Sequence, residues 1–206
     1  MNSLLKIVLP WSGYCLLHSV LISLPVTNYI ESKLPRLHRY YRLIYNIQSI
    51  VLLAFLVLYT RKFHDTPFFT WEGYLQIIQI VILLTGIMLL YSGSRNYSFS
   101  SFIGLSQIKS GNKNNLIKQE DEITIKGIHK YIRHPFYTAV IFIIWARNLD
   151  YTVLAVNLVL SIYVIIGTYL EERKLILILG NSYRNYRKSV SMFFPVKWIL
   201  KKIINK

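Results

Sequence analysis

The sequence is short of acidic residues and of charged residues in general. Only 16% of its 206 residues are charged, and 9 Asp plus Glu stand against 24 Lys plus Arg. A soluble domain usually has about a quarter of its residues charged. Here 53% of the residues are hydrophobic and the mean hydropathy is +0.38. This shortage argues against a water-soluble globular domain and indicates a protein whose main solvent is lipid.

Cysteine is almost absent as well. The single cysteine, Cys15, excludes an internal disulfide and a cysteine-based metal cluster, and we predict no metal site. Its apolar surroundings predict a packed residue rather than a nucleophile. The first apolar stretch contains Pro10 and His18 and lacks a small-residue cleavage site. We therefore expect a retained helix here and no cleavable signal.

Five apolar segments predict an all-α, polytopic membrane protein with about five transmembrane helices. About 20 residues are needed to cross a bilayer. The segments cover residues 4–24, 43–60, 74–91, 136–149 and 151–170. We expect a single membrane domain over residues 1–206. It would comprise three N-terminal helices (1–92), a cytoplasmic loop (93–126) and a C-terminal region (127–195). The long polar stretch 92–130 is a candidate lid.

The fourth segment is too short to cross a bilayer alone. Its 14 residues span about 21 Å, against about 30 Å for the hydrocarbon core. It is either buried among other helices or begins below the interface. Pro135 suits a first helical position, and residues 147–150 are polar enough to form a tight turn. The fourth and fifth helices would then form an antiparallel hairpin that brings Glu171 and Glu172 to Arg133 and His134.

The basic residues predict the orientation of the chain in the membrane. With five spans, one side holds 20 of the 24 lysines and arginines. The other side holds only Lys6, Arg61, Lys62 and Arg147. The positive-inside rule then places the N-terminus outside and the C-terminus in the cytoplasm. Since the basic residues alternate with long apolar runs, we expect membrane lipids as partners and no nucleic acid.

Several polar residues have both a functional and an ordinary structural interpretation. Glu171 and Glu172 are followed by basic residues and fit a salt-bridged helix end. Because successive helical residues lie about 100° apart, we expect that the two carboxylates do not face the same partner. Arg133 and His134 form a candidate anion site at a helix N-terminus, or ordinary basic flanks. His18, inside the first span, is expected to be packed and hydrogen-bonded rather than catalytic.

Two sequence blocks resemble the isoprenylcysteine carboxyl methyltransferase family. The first, from Gly127 to Tyr137, reads Gly-Ile-His-Lys-Tyr-Ile-Arg-His-Pro-Phe-Tyr and resembles the motif that opens the family's penultimate helix. The second block, Glu-Glu-Arg-Lys-Leu from Glu171, continues as Gly-Asn-Ser-Tyr-Arg-Asn-Tyr and a closing Pro195. The family usually has an aromatic residue two positions after the glycine, where this chain has His129. The resemblance covers residues 127–195.

Shorter matches are similar to one bacterial branch of this superfamily. His18-Ser19, Arg42 with Tyr45, and a Phe102-x-Gly104-Leu-x-Gln107 stretch resemble the branch that contains methanethiol S-methyltransferases and the proteins called NnrU. The nuclear-envelope protein nurim is a relative.

Because Tyr183 and Tyr186 lie three residues apart, they share a helical face. Near a bilayer surface such tyrosines are also ordinary anchors.

The resemblance implies S-adenosylmethionine as the methyl donor, bound on the cytoplasmic side. The residues that it implies for the cofactor are Gly127, Tyr131, Arg133, His134, Pro135, Tyr137, Glu171, Glu172 and Tyr183. The candidates for a catalytic role are His134, Glu172 and Arg173. We expect Arg133 and His134 to hold the cofactor's carboxylate, and Glu172 to meet its ammonium group or ribose hydroxyls. If the acceptor is a thiol, His134 is the nearest candidate base.

The methyl acceptor stays open at this point. A small thiol and a lipophilic acceptor, either a prenylated cysteine carboxylate or a lipid amine, are both compatible with the motif. A different class of function is also compatible, namely a non-catalytic membrane scaffold or accessory protein that has the fold but no affinity for the cofactor. The joint presence of His134, Tyr137, Glu172 and Tyr183 argues against this second class.

Overall fold

The computed structural model describes residues 3–95, 100, 103–105, 108 and 125–204, and this part of the chain is helical. Seven helices are named here α1 (Ser3–Ile22), α2 (Leu24–Lys33), α3 (Pro35–Thr60), α4 (Leu75–Ser94), α5 (Pro135–Trp145), α6 (Tyr151–Ser189) and α7 (Val196–Ile204). Short 3-10 turns lie at Arg61–Phe63 and Gly127–Lys130. Most of the predicted loop 93–126, with the candidate lid, Phe102 and Gln107, lies outside the described residues.

Four of the described helices are long and apolar enough to cross a membrane. They are α1, α4, α6 and α3 together with the turn that follows it. Helix α5 is apolar too but has only 11 residues. The outer surfaces expose large apolar side chains such as Leu16, Phe55 and Met88, which suits contact with lipid. The prediction of an all-α polytopic membrane protein is confirmed, including the short fourth segment.

Two helices extend further than the hydropathy pattern predicted. Helix α3 begins at Pro35 rather than near residue 43, and α2 occupies part of the expected loop. Helix α6 continues through polar sequence to Ser189. A helix satisfies its own backbone hydrogen bonds, so it can continue into polar sequence beyond an apolar span. Gly180 kinks α6 with φ 57° and ψ −128°, a conformation that glycine adopts without a steric cost.

The helices belong to two compact units. The first unit contains α1, α2, α3 and the beginning of α6 up to Tyr163. Its core is a cluster of Ile7, Trp11, Leu56 and Val156. A polar group lies within this unit: His18 Nε2 is 2.7 Å from the Tyr45 hydroxyl, and His18 Nδ1 is 3.2 Å from Ser49 Oγ. His18 is thus a hydrogen-bonded residue that packs beside Tyr45, as its sequence context favoured.

Residues 148–150 of the predicted polar turn before α6 also belong to the first unit. Asp150 caps the helix, because its Oδ1 accepts a 2.6 Å hydrogen bond from the backbone N–H of Val153. Its Oδ2 lies 2.5 Å from His64 Nδ1. Burial by itself would raise the pKa of the Asp150 carboxyl, but these hydrogen bonds hold the pKa below its usual value. The turn is therefore fixed by side-chain contacts and not by its backbone alone.

The second unit contains α4, α5, the rest of α6 and α7. Helices α4 and α5 approach closely at two buried glycines of α4. A Cβ at Gly86 would lie 3.0 Å from Ile143 Cγ1 and 3.3 Å from the carbonyl oxygen of Ala139. A Cβ at Gly93 would lie 3.2 Å from the ring of Phe136. Small residues of this kind let membrane helices pack at short distance, and here they seat the short helix α5 against α4.

This packing predicts that Gly86→Leu destabilises the protein. The added side chain would overlap Ile143 and the α5 backbone, and overpacking of this kind costs about 1–3 kcal/mol. Gly13→Leu is the matched control, because a Cβ at Gly13 would meet no atom within 4 Å. Thermal unfolding of both variants in detergent, followed by circular dichroism, should lower the midpoint only for Gly86→Leu. Equal midpoints would contradict close packing of α4 on α5.

Candidate active site

The two halves of the sequence motif meet at one buried cluster in the second unit. Arg133 and His134 directly precede α5, whose first residue, Pro135, is buried. Glu171 and Glu172 lie on α6. The buried members of the cluster include Glu172 at 1% exposure and His134 at 6%. The predicted meeting of these sequence-distant residues is therefore observed.

Glu172 is the centre of this cluster. Its Oε1 accepts a hydrogen bond from Arg133 Nε at 2.7 Å and forms an ion pair with Arg133 NH2 at 2.6 Å. The same oxygen lies 3.1 Å from His134 Nε2. Its other oxygen, Oε2, lies 2.8 Å from Arg187 Nε. A buried carboxylate is stable only when paired and hydrogen-bonded in this way, so the chain itself compensates the charge of Glu172.

The hydrogen-bond donors of Arg133 contact other groups of the protein. Besides Glu172, its NH1 donates to the carbonyl oxygen of Arg187 at 3.2 Å and to that of Val190. The guanidinium group thus joins the start of α5 to the last turn of α6. A planar fork with several donors is suited to such a junction. Arg133 therefore has a clear structural role in this arrangement.

The segment after α6 contributes a contact that the sequence did not predict. Backbone N–H groups of Arg133 and His134 donate to the carbonyl oxygens of Ser191 at 2.9 Å and Met192 at 3.1 Å. The Thr138 hydroxyl donates to the carbonyl oxygen of Phe193 at 3.1 Å. Residues 191–193 thus run beside the motif and fix its backbone. Pro195 was the only sequence signal near this segment, and it did not indicate the pairing.

His134 lies between the two carboxylates. Its Nε2 faces Glu172 Oε1, and its Nδ1 lies 3.7 Å from Glu171 Oε2. The expectation that Glu171 and Glu172 do not share a partner was wrong, because the two nitrogens of one imidazole ring can each face a different carboxylate. Tyr137 stacks on the ring at 5.6 Å between centroids and 15° between planes.

The environment of His134 favours a neutral ring. Burial lowers the pKa of His134 below its ordinary value, and the neighbouring Glu171 and Glu172 oppose this shift only in part. A neutral imidazole carries one N–H. Since Nε2 faces Glu172 Oε1, the proton is best placed on Nε2, where it donates to that oxygen. The lone pair is then on Nδ1, which makes this atom a proton acceptor.

Glu171 differs from Glu172 in its exposure. Its side chain is 42% exposed, yet its buried Oε2 accepts no hydrogen bond from any residue that the structure describes. A buried acceptor without a donor is uncommon in folded proteins. Glu171 Oε2 can therefore accept from a bound cation or hydroxyl group.

The other predicted site residues lie in different surroundings, and Tyr183 is near enough to Glu172, Arg133 and Glu171 to interact with them electrostatically. Tyr183 is 3% exposed and packs edge-on against Tyr186, with 5.8 Å between ring centroids. Gly127 opens the 3-10 turn with a φ of 57° and is exposed, as is Arg173. Tyr131 is 38% exposed and contacts Trp198 edge-on. The buried cluster thus contains Arg133, His134 and Glu172, with Glu171 and Tyr137 against it.

The sequence of this chain is similar to one protein family and to several methanethiol S-methyltransferases. The sequence profile of the family described as "NnrU protein" matches residues 6–149. The methanethiol S-methyltransferase of Pseudomonas deceptionensis is 43% identical over 70 residues, which are 33% of this chain and 26% of that protein. Methanethiol S-methyltransferase 1 of Bradyrhizobium diazoefficiens is 28% identical over 147 residues, which are 68% of this chain and 50% of that protein.

A third relative is also named a methanethiol S-methyltransferase. The methanethiol S-methyltransferase of Mycobacterium tuberculosis is 32% identical over 72 residues, which are 33% of this chain and 28% of that protein. The chain thus spans between about a quarter and a half of the length of these curated relatives. No solved structure matches it.

The geometry predicts that Glu172 is required for stability, whereas Glu171 is not. Glu172→Ala would leave Arg133 and Arg187 without their shared carboxylate, and breaking one partner of a buried ion pair costs about 3–5 kcal/mol. Glu171→Gln is the matched control, since its partly exposed side chain should contribute less than about 1 kcal/mol. Thermal unfolding in detergent distinguishes the two variants. Similar midpoints for both would contradict the central position of Glu172.

Proposed function

The chain belongs to the NnrU protein family, and on this premise we propose that it is an integral membrane methyltransferase that uses S-adenosylmethionine to methylate a small thiol. The prediction of the methanethiol S-methyltransferase and NnrU branch is confirmed by the matches. The observation that carries the proposed activity is the position of His134 between Glu171 and Glu172. This arrangement joins both halves of the motif at a buried proton acceptor.

The residues of the cluster fit the proposed cofactor. S-adenosylmethionine supplies, when bound, an electrophilic methyl group on a positively charged sulfur. Its ammonium group and hydroxyls need acceptors, and Glu171 Oε2 is a buried acceptor without a donor among the described residues. Its aromatic base needs a flat partner, and Tyr137 is half-buried beside His134. We therefore assign direct cofactor contacts to Glu171 and Tyr137 first.

Arg133 and Glu172 receive a positioning role in this proposal. Their polar atoms already contact each other and neighbouring protein groups. A cofactor contact by either residue would have to compete with these contacts. Glu172 instead holds the Nε2 proton of His134, which leaves Nδ1 as the acceptor. The contacts of Gly127, Tyr131, Pro135 and Tyr183 with the cofactor, and the role of Arg173, stay predictions from the family resemblance.

His134 Nδ1 is the proposed base for the acceptor. A thiolate is a far better nucleophile than a thiol, so the acceptor's S–H proton must leave. In the proposed step this proton moves from the thiol sulfur to His134 Nδ1. The imidazolium that forms lies between two carboxylates, Glu171 at Nδ1 and Glu172 at Nε2, which stabilise its charge. Alignment of the thiolate with the methyl group then supplies much of the remaining rate.

The names of the relatives favour a small thiol among the acceptors. Three of them are named for S-methylation of methanethiol. A prenylcysteine carboxylate and a lipid amine remain the competing acceptors. Since 20 of the 24 basic residues fall on one predicted side, we further propose that this side, with the site, faces the cytoplasm.

Methyl transfer by detergent-purified protein tests the proposal. Labelled S-adenosylmethionine would be offered with methanethiol, a prenylcysteine analogue or mixed lipids, and we expect label in the methylated thiol. His134→Ala and Glu172→Ala should lose activity, while His38→Ala, in the first unit, should retain it. Label in the prenylcysteine or lipid product would replace the proposed acceptor. No transfer and no cofactor binding by calorimetry would instead favour a non-catalytic scaffold.

The pH dependence of the reaction provides an independent prediction. A base must be neutral to work, so activity falls as the pH decreases through the pKa of His134. Burial lowers this pKa below 6.5, and kcat/KM should therefore fall only below pH 6.5. Because Glu171 raises the pKa, Glu171→Gln should move the inflection to still lower pH. An inflection above 6.5, or one that Glu171→Gln leaves in place, would contradict His134 as the base.

A further inference from the structure

A basic cavity lies at the far end of α6. It has a volume of about 520 Å³ and is lined by Arg133, Ile176, Arg184, Arg187, Lys188 and Lys197. Five of these six side chains are cationic. Such a concentration of positive charge in a concave site indicates an anionic ligand.

The positive charge of the cavity is only partly compensated by the protein. Glu172 pairs with Arg133 and Arg187. Lys197 Nζ donates to the backbone carbonyl oxygens of Arg187 at 2.6 Å and Lys188 at 3.1 Å. Neither Arg184 nor Lys188 forms a side-chain ion pair with an acidic residue in the described part of the chain. Among the described residues, one carboxylate thus pairs with two of the five cations, and the other three have no acidic partner.

The surroundings of the cavity suit a lipid. Helix α7 includes Lys197 of the cavity lining and combines exposed apolar residues with basic ones. Its apolar residues Val196, Ile199, Leu200 and Ile203 are 53%, 44%, 51% and 65% exposed, while Lys201 and Lys202 form its last turn. A helix of this type lies at a membrane interface, where lysines attract anionic lipids. The apolar face offers a surface for acyl chains next to the basic cavity.

We propose that this cavity binds a phosphate group, and that its source is the headgroup of an anionic phospholipid. Arginine side chains present paired donors that match phosphate oxygens, and lysines add point charges. Arg184 and Lys188 would supply the main contacts, since both are exposed and have no acidic partner among the described residues. The adjoining apolar face of α7 favours a lipid over a soluble phosphate compound.

Binding here would reach the buried cluster directly. Arg133 and Arg187 line the cavity and also contact Glu172. A phosphate bound by Arg184 and Lys188 would therefore lie beside the two guanidinium groups that position Glu172. The lipid would stabilise the folded second unit, whether or not the protein transfers a methyl group.

Ligand-dependent thermal stability of the detergent-purified full chain tests this site without any activity measurement. A ligand that binds the folded protein raises its unfolding midpoint, and at equal concentration a tighter ligand raises it more. Short-chain phosphatidylglycerol, phosphatidylcholine of equal chain length, and inorganic phosphate are the probes, all at equal ionic strength. We expect phosphatidylglycerol to raise the midpoint more than phosphatidylcholine does.

Two double variants that lose the same charge distinguish lipid binding in the cavity from lipid binding to the rest of the basic surface. Arg184→Gln with Lys188→Gln removes the proposed contacts. Lys174→Gln with Lys33→Gln removes two exposed charges that lie outside both the cavity lining and α7. The first pair should raise the apparent Kd for phosphatidylglycerol about tenfold or more, because a charged hydrogen bond contributes about 1.5–3 kcal/mol. The second pair should retain the wild-type value.

Each outcome decides between the alternatives. A phosphatidylglycerol effect that only the cavity variant loses supports the lipid headgroup. An effect of inorganic phosphate alone, lost in the same variant, supports the phosphate site and assigns it to a soluble phosphate compound. Equal losses in both variants would overturn the site in favour of diffuse surface charge. No preference for either phosphate probe over phosphatidylcholine would overturn it as well.

Discussion

The buried carboxylate of Glu172 is the constraint on which the second unit depends. A charge that is 1% exposed must be compensated by the protein, since transfer of an isolated ion from water costs far more than one protein fold can supply. Arg133, Arg187 and His134 provide this compensation. Arg133 and His134 precede α5, while Glu172 and Arg187 lie in the middle and last turn of α6, so the compensation also joins the start of α5 to α6.

The position of His134 follows from the same constraint. Its ring Nε2 lies within hydrogen-bond distance of Glu172, and Tyr137 stacks on the ring. Its backbone N–H donates a hydrogen bond to the carbonyl oxygen of Met192. A residue held from three directions keeps its ring orientation without help from a ligand, which is what a proton acceptor needs. Close packing of α4 on α5 at Gly86 and Gly93 supports the helix that follows His134.

Much of this arrangement could be predicted from the sequence, and the rest could not for physical reasons. The hydropathy of the sequence predicted five apolar segments. The antiparallel hairpin of the last two segments predicted that Glu171 and Glu172 lie near Arg133 and His134. Sequence could not show that α6 resumes after its kink at Gly180 and continues to Ser189, since polar residues suit helix and loop alike. Nor could it show residues 191–193 beside the motif, because backbone pairing leaves no side-chain signature.

The two carboxylates show how adjacent residues of one type acquire different roles. Glu172 forms ion pairs with Arg133 and Arg187, whereas Glu171 pairs with no arginine in the described part of the chain and its Oε2 lies 3.7 Å from His134 Nδ1. The arginines that pair with Glu172 also line the basic cavity. The proposed anion site would thus share its arginines with an internal acid, and a change in either one would alter the electric field at the other. Glu171 remains outside this network, which leaves it available to a ligand beside His134.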